Sequence, residues 1–533
     1  EYTHDGDRLG SEGQEEDHKA PAATPEEARE KELAGLKERG GYTEVDLEEC
    51  HRETGQGPLS TRWVEDRKGA GYKARLVVRG FEEPGSDAWI YAPTTSLVSC
   101  CMLLCMASAA RLKGEDWGVA TADFKQAFLN APLSKCKNQA PVYIQGEGVP
   151  PGRCWRLERA LYGLRGSPAA WAQELSDGLE ALGWQRELHD GCLFYREDRK
   201  VFLCVHVDDV LLVGEREEIR AELMRLSSKY RISSKWVGRE SQTFLGRELR
   251  ETDTGYVFSV PASYIQEACR DMGVTIQEGV EYPLTWKELP EGEETLDGEG
   301  QHDYRAMLGR LGWLDRSDVR VLVMHASSLL GKATSSARQN LREVWQYCLQ
   351  TANQVQVIAP VELEHQVRCG DHGAVAVFAD ANYYSGPKDG KSVSGAVVYV
   401  NCRGQWYPIS QTSRKQGVVS LSAGESELLS LVEGVAWASG LRQQWLTLLN
   451  SWSQEPRLII CSDSSTAIAI TRKRGSGRRT RHVHVKCLFL QAVVRFPWVV
   501  LMKQASAEMW ADSLTKAKTM SLEEKSMLGL RPH

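Results

Sequence analysis

Two apolar runs of strand length flank a pair of acidic residues near the middle of the chain. The stretch VFLCVHVDDVLLVG (Val201 to Gly214) predicts a β-hairpin with Asp208 and Asp209 at its turn, because both runs are rich in strand-forming residues. A third stretch, TADFKQAFL (Thr121 to Leu129), places Asp123 at the end of another short strand. Three carboxylates gathered by folding have the chemistry to hold divalent cations. An isolated Asp-Asp pair is equally typical of a solvated turn.

Longer apolar and amphipathic stretches predict helices. The run SLVSCCMLLCMASAA (Ser96 to Ala110) is shorter than the about 20 residues that a membrane span needs, so we expect a buried helix and no membrane partner. The segment PEEAREKELAGLKERG (Pro25 to Gly40) follows a capping residue, Thr24, and also predicts a helix. Residues from Tyr304 to about Val357 have a helical pattern as well. The 14 cysteines include no Cys-x-x-Cys pair, and we expect reduced thiols.

Four further acidic residues follow predicted strands or helices in the C-terminal part of the chain. Asp380 ends the strand in AVAVFADANYYSG, and Asp463 ends the strand in LIICSDSSTAIAI. Glu427 lies on a predicted helix in LSAGESELLSL, and Asp512 on a late helix in AEMWADSLTK. Each residue alone is typical of a helix cap or a surface. Four clustered carboxylates would repel one another unless cations neutralise them.

The net charge of −7 at first argues against a nucleic-acid partner. The acidity is concentrated, however, in two polar stretches. From Glu1 to Leu33 there are eleven acidic and four basic residues, and from Glu281 to Gly300 there are seven acidic residues and one Lys. The rest of the chain is therefore mildly basic and can present positive surfaces.

Two stretches concentrate basic residues. In GYKARLVVRGF (Gly71 to Phe81), strand periodicity places Lys73, Arg75 and Arg79 on one face, which suits a triphosphate; a charged strand edge is the alternative. The segment TRKRGSGRRTRHVHVK (Thr471 to Lys486) suits the phosphates of a duplex, or a nuclear-import signal. Its candidate contacts are Arg472, Lys473, Arg474, Arg478, Arg479 and Arg481.

The Asp-x-Lys-x-Ala-Phe strand followed by the Val-Asp-Asp hairpin resembles the polymerase palm of copia-type retrotransposon reverse transcriptases. The block from Gly71 to Phe81 resembles the family's fingers, and ALYGLRGSPAAW (Ala160 to Trp171) resembles the segment that packs against the nascent base pair. The resemblance implies two Mg²⁺, or Mn²⁺, at one active site. The implied ligands are Asp123, Asp208, Asp209 and the backbone carbonyl of Phe124.

The same resemblance assigns residues to the nucleotide and the template–primer. It implies that Lys73 or Arg75 contacts the incoming nucleotide, and that Phe128 selects deoxynucleotides unless it is an ordinary core aromatic. Tyr162 and Gly163 would lie against the base pair and Arg165 against a phosphate; a plain helix-starting turn is the alternative.

The acids Asp380, Glu427, Asp463 and Asp512 occur in the order that resembles the ribonuclease H domain joined to such polymerases. The resemblance implies a second pair of Mg²⁺ ions at these four residues. His482 also fits the pattern, either helping to release the cut strand or contacting a phosphate.

Two histidines depart from the family. His206 replaces the usual Tyr of the hairpin, where strand alternation predicts that it shares a face with Asp208, and His484 replaces a usual acid. The departures leave open a second interpretation, a catalytically inactive nucleic-acid-binding relic of such an element.

The resemblance implies an α+β multidomain fold of palm and fingers, helical connection and ribonuclease H-like α/β domain. The predicted order is an acidic disordered leader (1–33), fingers and palm (34–250), thumb or connection with an acidic linker at 281–300 (251–370), the ribonuclease H-like domain (371–520) and a tail (521–533). The expected function is RNA-directed DNA synthesis with degradation of RNA in the hybrid. The expected partners are an RNA template, a DNA primer, an RNA–DNA hybrid, deoxynucleoside triphosphates and other retrotransposon proteins. The expected location is cytoplasmic, in a virus-like particle, with entry into the nucleus.

Overall fold

The structure is a computed structural model of the 533-residue chain. It describes residues 22–68, 71–83, 90–136, 139–147, 149–363, 367, 373–384, 390–449, 456–475 and 477–533, without the side chains of residues 68 and 478–480. The helices are α1 (Pro25–Glu38), α2 (Leu47–Thr54), α3 (Leu97–Leu112), α4 (Ser167–Ala181), α5 (Arg216–Lys229), α6 (Ala262–Asp271), α7 (Gly298–Trp313), α8 (Arg320–Ser327), α9 (Ser335–Gln350), α10 (Ala423–Leu449), α11 (Ser465–Arg472), α12 (His484–Val493) and α13 (Leu522–Met527).

The strands form four sheets. They are β1 (Tyr42–Asp46), β2 (Leu59–Lys68), β3 (Gly71–Val78), β4 (Trp117–Phe124), β5 (Tyr143–Gln145), β6 (Arg153–Leu157), β7 (Gln185–Arg186), β8 (Leu193–Arg196), β9 (Val201–His206), β10 (Asp209–Glu215), β11 (Ile232–Trp236), β12 (Gln242–Phe244), β13 (Arg247–Glu251), β14 (Tyr256–Ser259), β15 (Gln354–Ile358), β16 (Val375–Asn382), β17 (Val393–Cys402), β18 (Gln405–Lys415), β19 (Leu458–Ser462), β20 (Val499–Lys503) and β21 (Leu530–Pro532).

The chain folds into two compact units. The first comprises residues 1–96 and 119–236, and the second comprises residues 97–118 and 237–533. The predicted fingers and palm, 34–250, therefore differ from the first unit in three ways: the unit begins before residue 34 and so contains all of α1, it ends at Trp236, and α3 packs with the second unit. The expected α+β multidomain fold is confirmed.

The first unit contains two antiparallel-rich sheets. One has the order β1-β6-β5-β2-β3, and the other has the order β11-β4-β10-β9-β8-β7. The predicted hairpin is present as β9 and β10, whose central residues are buried because both faces of this sheet are covered. The predicted helix α1 is present too, with the Thr24 hydroxyl accepting a hydrogen bond from the Glu27 amide.

The second unit combines a helical region with two sheets. Helix α3 is buried along most of its length and packs against β15, β17 and β18, so the predicted burial of this apolar run is confirmed. Helices α7, α8 and α9 share a core around the fully buried Trp345 and Tyr304. Within the described residues, no helix is both long enough and apolar enough to cross a membrane.

The last large sheet has the order β18-β17-β16-β19-β20. Strand β16 pairs antiparallel with β17 and parallel with β19, which in turn pairs parallel with β20. Helix α10 lies against β16 and β17. A Cβ built on Gly434 would lie 3.1 Å from the Ala379 Cβ, so a glycine at this position lets the helix approach the sheet closely.

Three expectations drawn from composition need correction. Residues 25–33 of the predicted disordered leader belong to α1, whereas residues 1–21 lie outside the described part. The predicted linker, 281–300, is anchored: Leu284 is fully buried and its amide donates a hydrogen bond to Thr519 Oγ1 (2.9 Å). The predicted tail, 521–533, forms α13 and strand β21, which pairs with β15. Averaged composition hides the few apolar residues that fix each segment.

The described cysteines are free thiols, and all except Cys101 are buried. This agrees with the expectation of reduced thiols.

The C-terminal segment should therefore contribute to stability. Leu528→Ala is expected to lower the free energy of unfolding by about 2–5 kcal/mol, because Leu528 is fully buried and its truncation leaves a cavity. Leu522→Ala is the matched control: Leu522 is 76% exposed, and its loss should change stability by less than about 0.5 kcal/mol. Denaturant unfolding of both variants measures the difference, and equal effects would contradict the assigned packing.

Candidate active sites

The three predicted polymerase carboxylates lie at the ends of neighbouring strands in the first unit. Asp123 is the penultimate residue of β4, Asp208 lies in the turn between β9 and β10, and Asp209 begins β10. The Phe124 amide donates a hydrogen bond to the Asp208 carbonyl (3.0 Å), which joins the two strand ends. The structure therefore brings Asp123 beside the acidic hairpin, as the sequence pattern predicts.

The hairpin tip is held in an uncommon conformation. Val207 has a φ of +58°, a left-handed value that is costly for a β-branched residue. The Trp171 indole donates a hydrogen bond to the Val207 carbonyl (2.6 Å), and its ring packs edge-to-face on Phe124 (5.3 Å between centroids). Trp171 is itself buried, so a rigid aromatic support fixes the turn that carries Asp208.

The predicted relation of His206 to Asp208 is wrong. His206 is the last residue of β9 and pairs with Asp209, so the chain leaves the strand before it reaches Asp208. Strand alternation therefore does not extend across the turn. The buried His206 Nδ1 makes no hydrogen bond to the described residues.

Asp123 is paired with a basic side chain. Lys125 Nζ lies 3.0 Å from Asp123 Oδ2, and the Asp123 side chain is 42% exposed. Within the described part of the chain, Asp123, Asp208 and Asp209 do not form a group whose ligand atoms all lie within 4.8 Å of one another. A cation at this site would share the Asp123 carboxylate with Lys125 or compete with it.

The residues predicted to bind the nucleotide gather around one aromatic side chain. The Arg75 guanidinium lies over the Tyr162 ring (5.8 Å to the centroid), and Phe128 packs edge-to-face on the same ring (5.0 Å). Lys73 and Arg75 lie on the less buried face of β3. Arg79 lies beyond the end of β3 and is exposed.

Gly163 adjoins β3. The Val78 amide donates a hydrogen bond to the Tyr162 carbonyl (2.8 Å), and a Cβ built on Gly163 would lie 2.0 Å from the Val78 carbonyl oxygen. Gly163 has a φ of +92°, so both its space and its backbone conformation require glycine. The Arg165 side chain donates to the Phe81 carbonyl (3.4 Å).

Three of the four predicted ribonuclease H acids form a tight cluster in the second unit. Ligand oxygens of Asp380, Glu427 and Asp463 all lie within 4.8 Å of one another. Asp380 lies in β16, Glu427 in the first turns of α10, and Asp463 directly after β19. Parallel strands β16 and β19 end at the same edge of the sheet, which brings their acids together.

Asp512 lies beside this cluster but outside it. It begins a 3-10 turn, Asp512–Leu514, and not the late helix that the sequence predicts. Its carboxylate pairs with Lys516 and lies 3.8 Å from Lys518. Asp512 nevertheless contributes to the raised pKa of Asp380.

Two of the clustered carboxylates, Asp380 and Glu427, have raised pKa values. Burial, together with the charges of Asp512 and Asp463, raises the pKa of Asp380 to about 6. Burial, together with Asp380 and Asp463, raises the pKa of Glu427 to about 9. The buried Glu427 Oε2 has no hydrogen-bond partner among the described residues. An orphaned oxygen in a set of three carboxylates fits a hard divalent cation such as Mg²⁺.

Neighbouring hydroxyls orient two of these acids. Thr515 Oγ1 donates to Asp380 Oδ2 (3.0 Å), and Ser506 Oγ donates to Asp463 Oδ2 (2.7 Å). Sequence reasoning missed both hydroxyls, because Ser and Thr occur throughout the chain and no spacing distinguishes these two.

The basic segment extends from the end of α11 to the start of α12. Gln491 fixes it: its side chain accepts from the Gly475 amide (2.9 Å) and donates to the Gly475 carbonyl (3.0 Å). Arg472, Lys473, Arg474 and Arg481 are exposed, whereas the side chains of Arg478 and Arg479 lie outside the described part.

His482 is held by an acid that the sequence analysis did not assign. Its Nε2 lies 2.8 Å from Glu425 Oε1, and the Glu425 side chain is buried. Glu425 precedes the clustered Glu427 by two residues on α10. The sequence signal was the first Glu in the GESE motif (Gly424 to Glu427), which sequence reasoning set aside in favour of the second.

Known proteins resemble this chain in sequence and in fold. Residues 41–286 match the family described as Reverse transcriptase (RNA-dependent DNA polymerase). The Retrovirus-related Pol polyprotein from transposon RE1 of Arabidopsis thaliana is 26% identical over 464 residues, covering 84% of this chain and 29% of the relative. That from transposon TNT 1-94 of Nicotiana tabacum is 24% identical over 512 residues, covering 92% of this chain and 36% of the relative. The chain thus spans about a third of the length of these relatives.

A solved structure shares the fold. The foamy viral protease-reverse transcriptase dRH in complex with ds DNA has a TM-score of 0.51 and 14% identity, covering 90% of this chain and 69% of the other. At this identity the likeness concerns the fold alone.

The raised pKa values predict how stability depends on pH. Between the unfolded pKa of about 4 and the folded pKa of about 9, the metal-free folded state retains a proton on Glu427 that the unfolded chain has lost. Stability should therefore fall as pH rises through this window. Glu427→Gln removes this pH-dependent loss of stability, because glutamine has no proton to lose. At pH 8 with a chelator present, we expect the Tm of this variant to be roughly 5 °C above that of the parent.

Thermal unfolding from pH 5 to 9 measures this effect, with the exposed Glu523→Gln as the control. Addition of Mg²⁺ should narrow the difference between the parent and Glu427→Gln. A lower Tm for Glu427→Gln at pH 8 without metal would contradict the assignment.

Proposed function

We propose that this chain, which carries the reverse transcriptase domain of a copia-type retrotransposon Pol polyprotein, copies RNA into DNA and degrades the RNA of the resulting hybrid. The observation that carries the proposal is the presence of two separate sets of carboxylates, each at the ends of neighbouring strands.

In the first set, Asp123, Asp208 and Asp209 would hold two Mg²⁺ or Mn²⁺ ions together with the Phe124 carbonyl. Bound ions would lower the pKa of the primer 3′-hydroxyl and stabilise charge on the leaving pyrophosphate. The chain's own contribution is geometric. The Phe124–Asp208 hydrogen bond and the Trp171–Val207 hydrogen bond fix the distance between the two strand ends.

The nucleotide would lie against the Tyr162 side chain. Arg75 carries a positive charge beside this ring and suits a triphosphate. Phe128 packs edge-to-face on the same ring and would exclude a 2′-hydroxyl. Gly163 opens onto a groove of about 490 Å³ whose rim includes Arg62, Arg79 and the exposed Phe81. A groove with an exposed aromatic and two arginines suits a base stacked beside its phosphate.

In the second set, Asp380, Glu427, Asp463 and Asp512 would hold the metal pair that directs water at an RNA phosphodiester. The high pKa of Glu427 means that the cluster gives up protons when cations bind. The 2′-hydroxyls in the minor groove of the hybrid distinguish its RNA strand from DNA. Exposed Arg472, Lys473 and Arg474 would neutralise phosphates of the same duplex.

The two activities should separate by mutation. Asp208→Asn with Asp209→Asn should lower primer extension on an RNA template by about a hundredfold or more and leave hybrid cleavage intact. Asp463→Asn should lower hybrid cleavage by a similar factor and leave primer extension intact. Extension and cleavage are measured on the same labelled hybrid with and without Mg²⁺.

Exposed acids provide the controls for these variants. Glu197→Gln and Glu523→Gln replace exposed residues of the first and second units and should retain both activities. Extension that survives the double substitution would refute the polymerase assignment. Salt-sensitive duplex binding by the parent without any turnover would favour an inactive relic instead.

The basic segment should bind the duplex through charge. Lys473→Ala with Arg474→Ala is expected to reduce the slope of log affinity for a hybrid against log salt by about 2, because each lost phosphate contact reduces it by about 1. The control pair Arg270→Ala with Arg305→Ala removes two exposed charges elsewhere in the second unit. Equal slopes for both pairs would exclude this segment from the interface.

A further inference from the structure

Helix α1 packs directly on the segment that follows Asp123. Leu36 is 1% exposed and joins the core of the first unit. A Cβ built on Gly35 would lie 2.6 Å from Gln126 Nε2, so the helix approaches this side chain as closely as a glycine allows. One turn later, Arg39 Nη1 donates to Asn130 Oδ1 (2.7 Å). The helix is therefore a neighbour of the proposed nucleotide site.

A buried acid of α1 faces this segment. Glu32 is 9% exposed, and its Oε2 accepts a hydrogen bond from Gln126 Nε2 (3.4 Å). Its Oε1 is buried and has no hydrogen-bond partner among the described residues. Burial raises the pKa of Glu32, whereas the Gln126 side chain, the charge of Lys73, the Leu76 backbone and the charge of Arg75 lower it. A buried carboxylate is costly unless such neighbours compensate it.

The groups around Glu32 are those assigned to the nucleotide. Lys73 and, more weakly, Arg75 act on its carboxylate from β3. Arg75 lies over the Tyr162 ring, and its Nη1 is paired with Asp66 Oδ2 (2.9 Å). Gln126 has a φ of +50°, a conformation that a glutamine rarely adopts, and Asn130 Nδ2 donates to its carbonyl (3.4 Å). Glu32 thus contacts a strained residue three positions after Asp123 and faces two basic residues of the fingers strand.

We infer that Glu32 is a positioning residue of the nucleotide site, which holds Gln126 and the basic pair Lys73 and Arg75 in the arrangement that receives the triphosphate. The inference rests on the proposed polymerase function and extends its site to α1. These groups would hold the triphosphate equally in the ground state and in the transition state. Loss of Glu32 should therefore weaken nucleotide binding more than it slows the chemical step.

Steady-state primer extension tests this role. Glu32→Ala should raise KM for the deoxynucleotide about tenfold, the size expected when a hydrogen bond to a charged group is lost, and should leave kcat within about twofold. Glu32→Gln keeps the side-chain volume and an acceptor oxygen for Gln126, so it should raise KM by only about threefold. The affinity for the primer–template should stay unchanged in both variants.

The matched control is Glu30→Ala, since Glu30 lies on the exposed side of the same helix. A merely structural role would lower kcat and primer–template affinity as well, and thermal unfolding reports on folding directly. If Glu32→Ala does not fold, the KM of Glu32→Gln for the deoxynucleotide tests the inference instead. An unchanged KM in a folded Glu32 variant would overturn the inference while leaving the polymerase intact. A parent chain that neither extends a primer nor retains a nucleotide on a dideoxy-terminated primer would overturn both proposals.

Discussion

The cost of burying carboxylates is the constraint on which this structure depends. An ionised acid removed from water needs a compensating charge or hydrogen bond. Asp380 and Glu427 receive too few compensating charges and hydrogen bonds, and their pKa values rise to about 6 and about 9. Such a cluster persists only because the packing of β16, β19 and α10 fixes the backbone positions of its residues. The fold supplies the positions, and a bound cation would offset the electrostatic cost that the packing of these carboxylates leaves uncompensated.

Local signals in the sequence located most of the acids, because strand ends and helix starts are short-range features. Asp123, the hairpin at Asp208 and the order of the last four acids were accessible in this way. What the sequence lacked was long-range information. Asp512 pairs with Lys516 and stays outside the acidic cluster, and the strand alternation is lost at Val207. Both features depend on contacts that no local sequence pattern encodes.

Composition misled where a few residues outweigh an average. The acidic stretch at 281–300 has the content of a linker, yet Leu284 is fully buried. Glu32 shows the converse effect. On a helix rich in charged residues its residue type is that of a solvated acid. Its spacing of four residues from the buried Ala28 and Leu36 places it on the packed face of α1, and the docking of α1 on Gln126 covers that face. The residue type, and not the period, therefore hid its burial.

The position of α3 has a consequence for how the chain is made. This apolar helix interrupts the sequence of the first unit, yet it packs against β15, β17 and β18 of the second. Its last residue, Leu112, is synthesised more than 200 residues before β15 begins at Gln354, a delay on the order of tens of seconds at ordinary ribosomal speed. During that interval the apolar surface of α3 lacks the strands that bury it in the folded chain, and such exposed surface makes a nascent chain prone to aggregation.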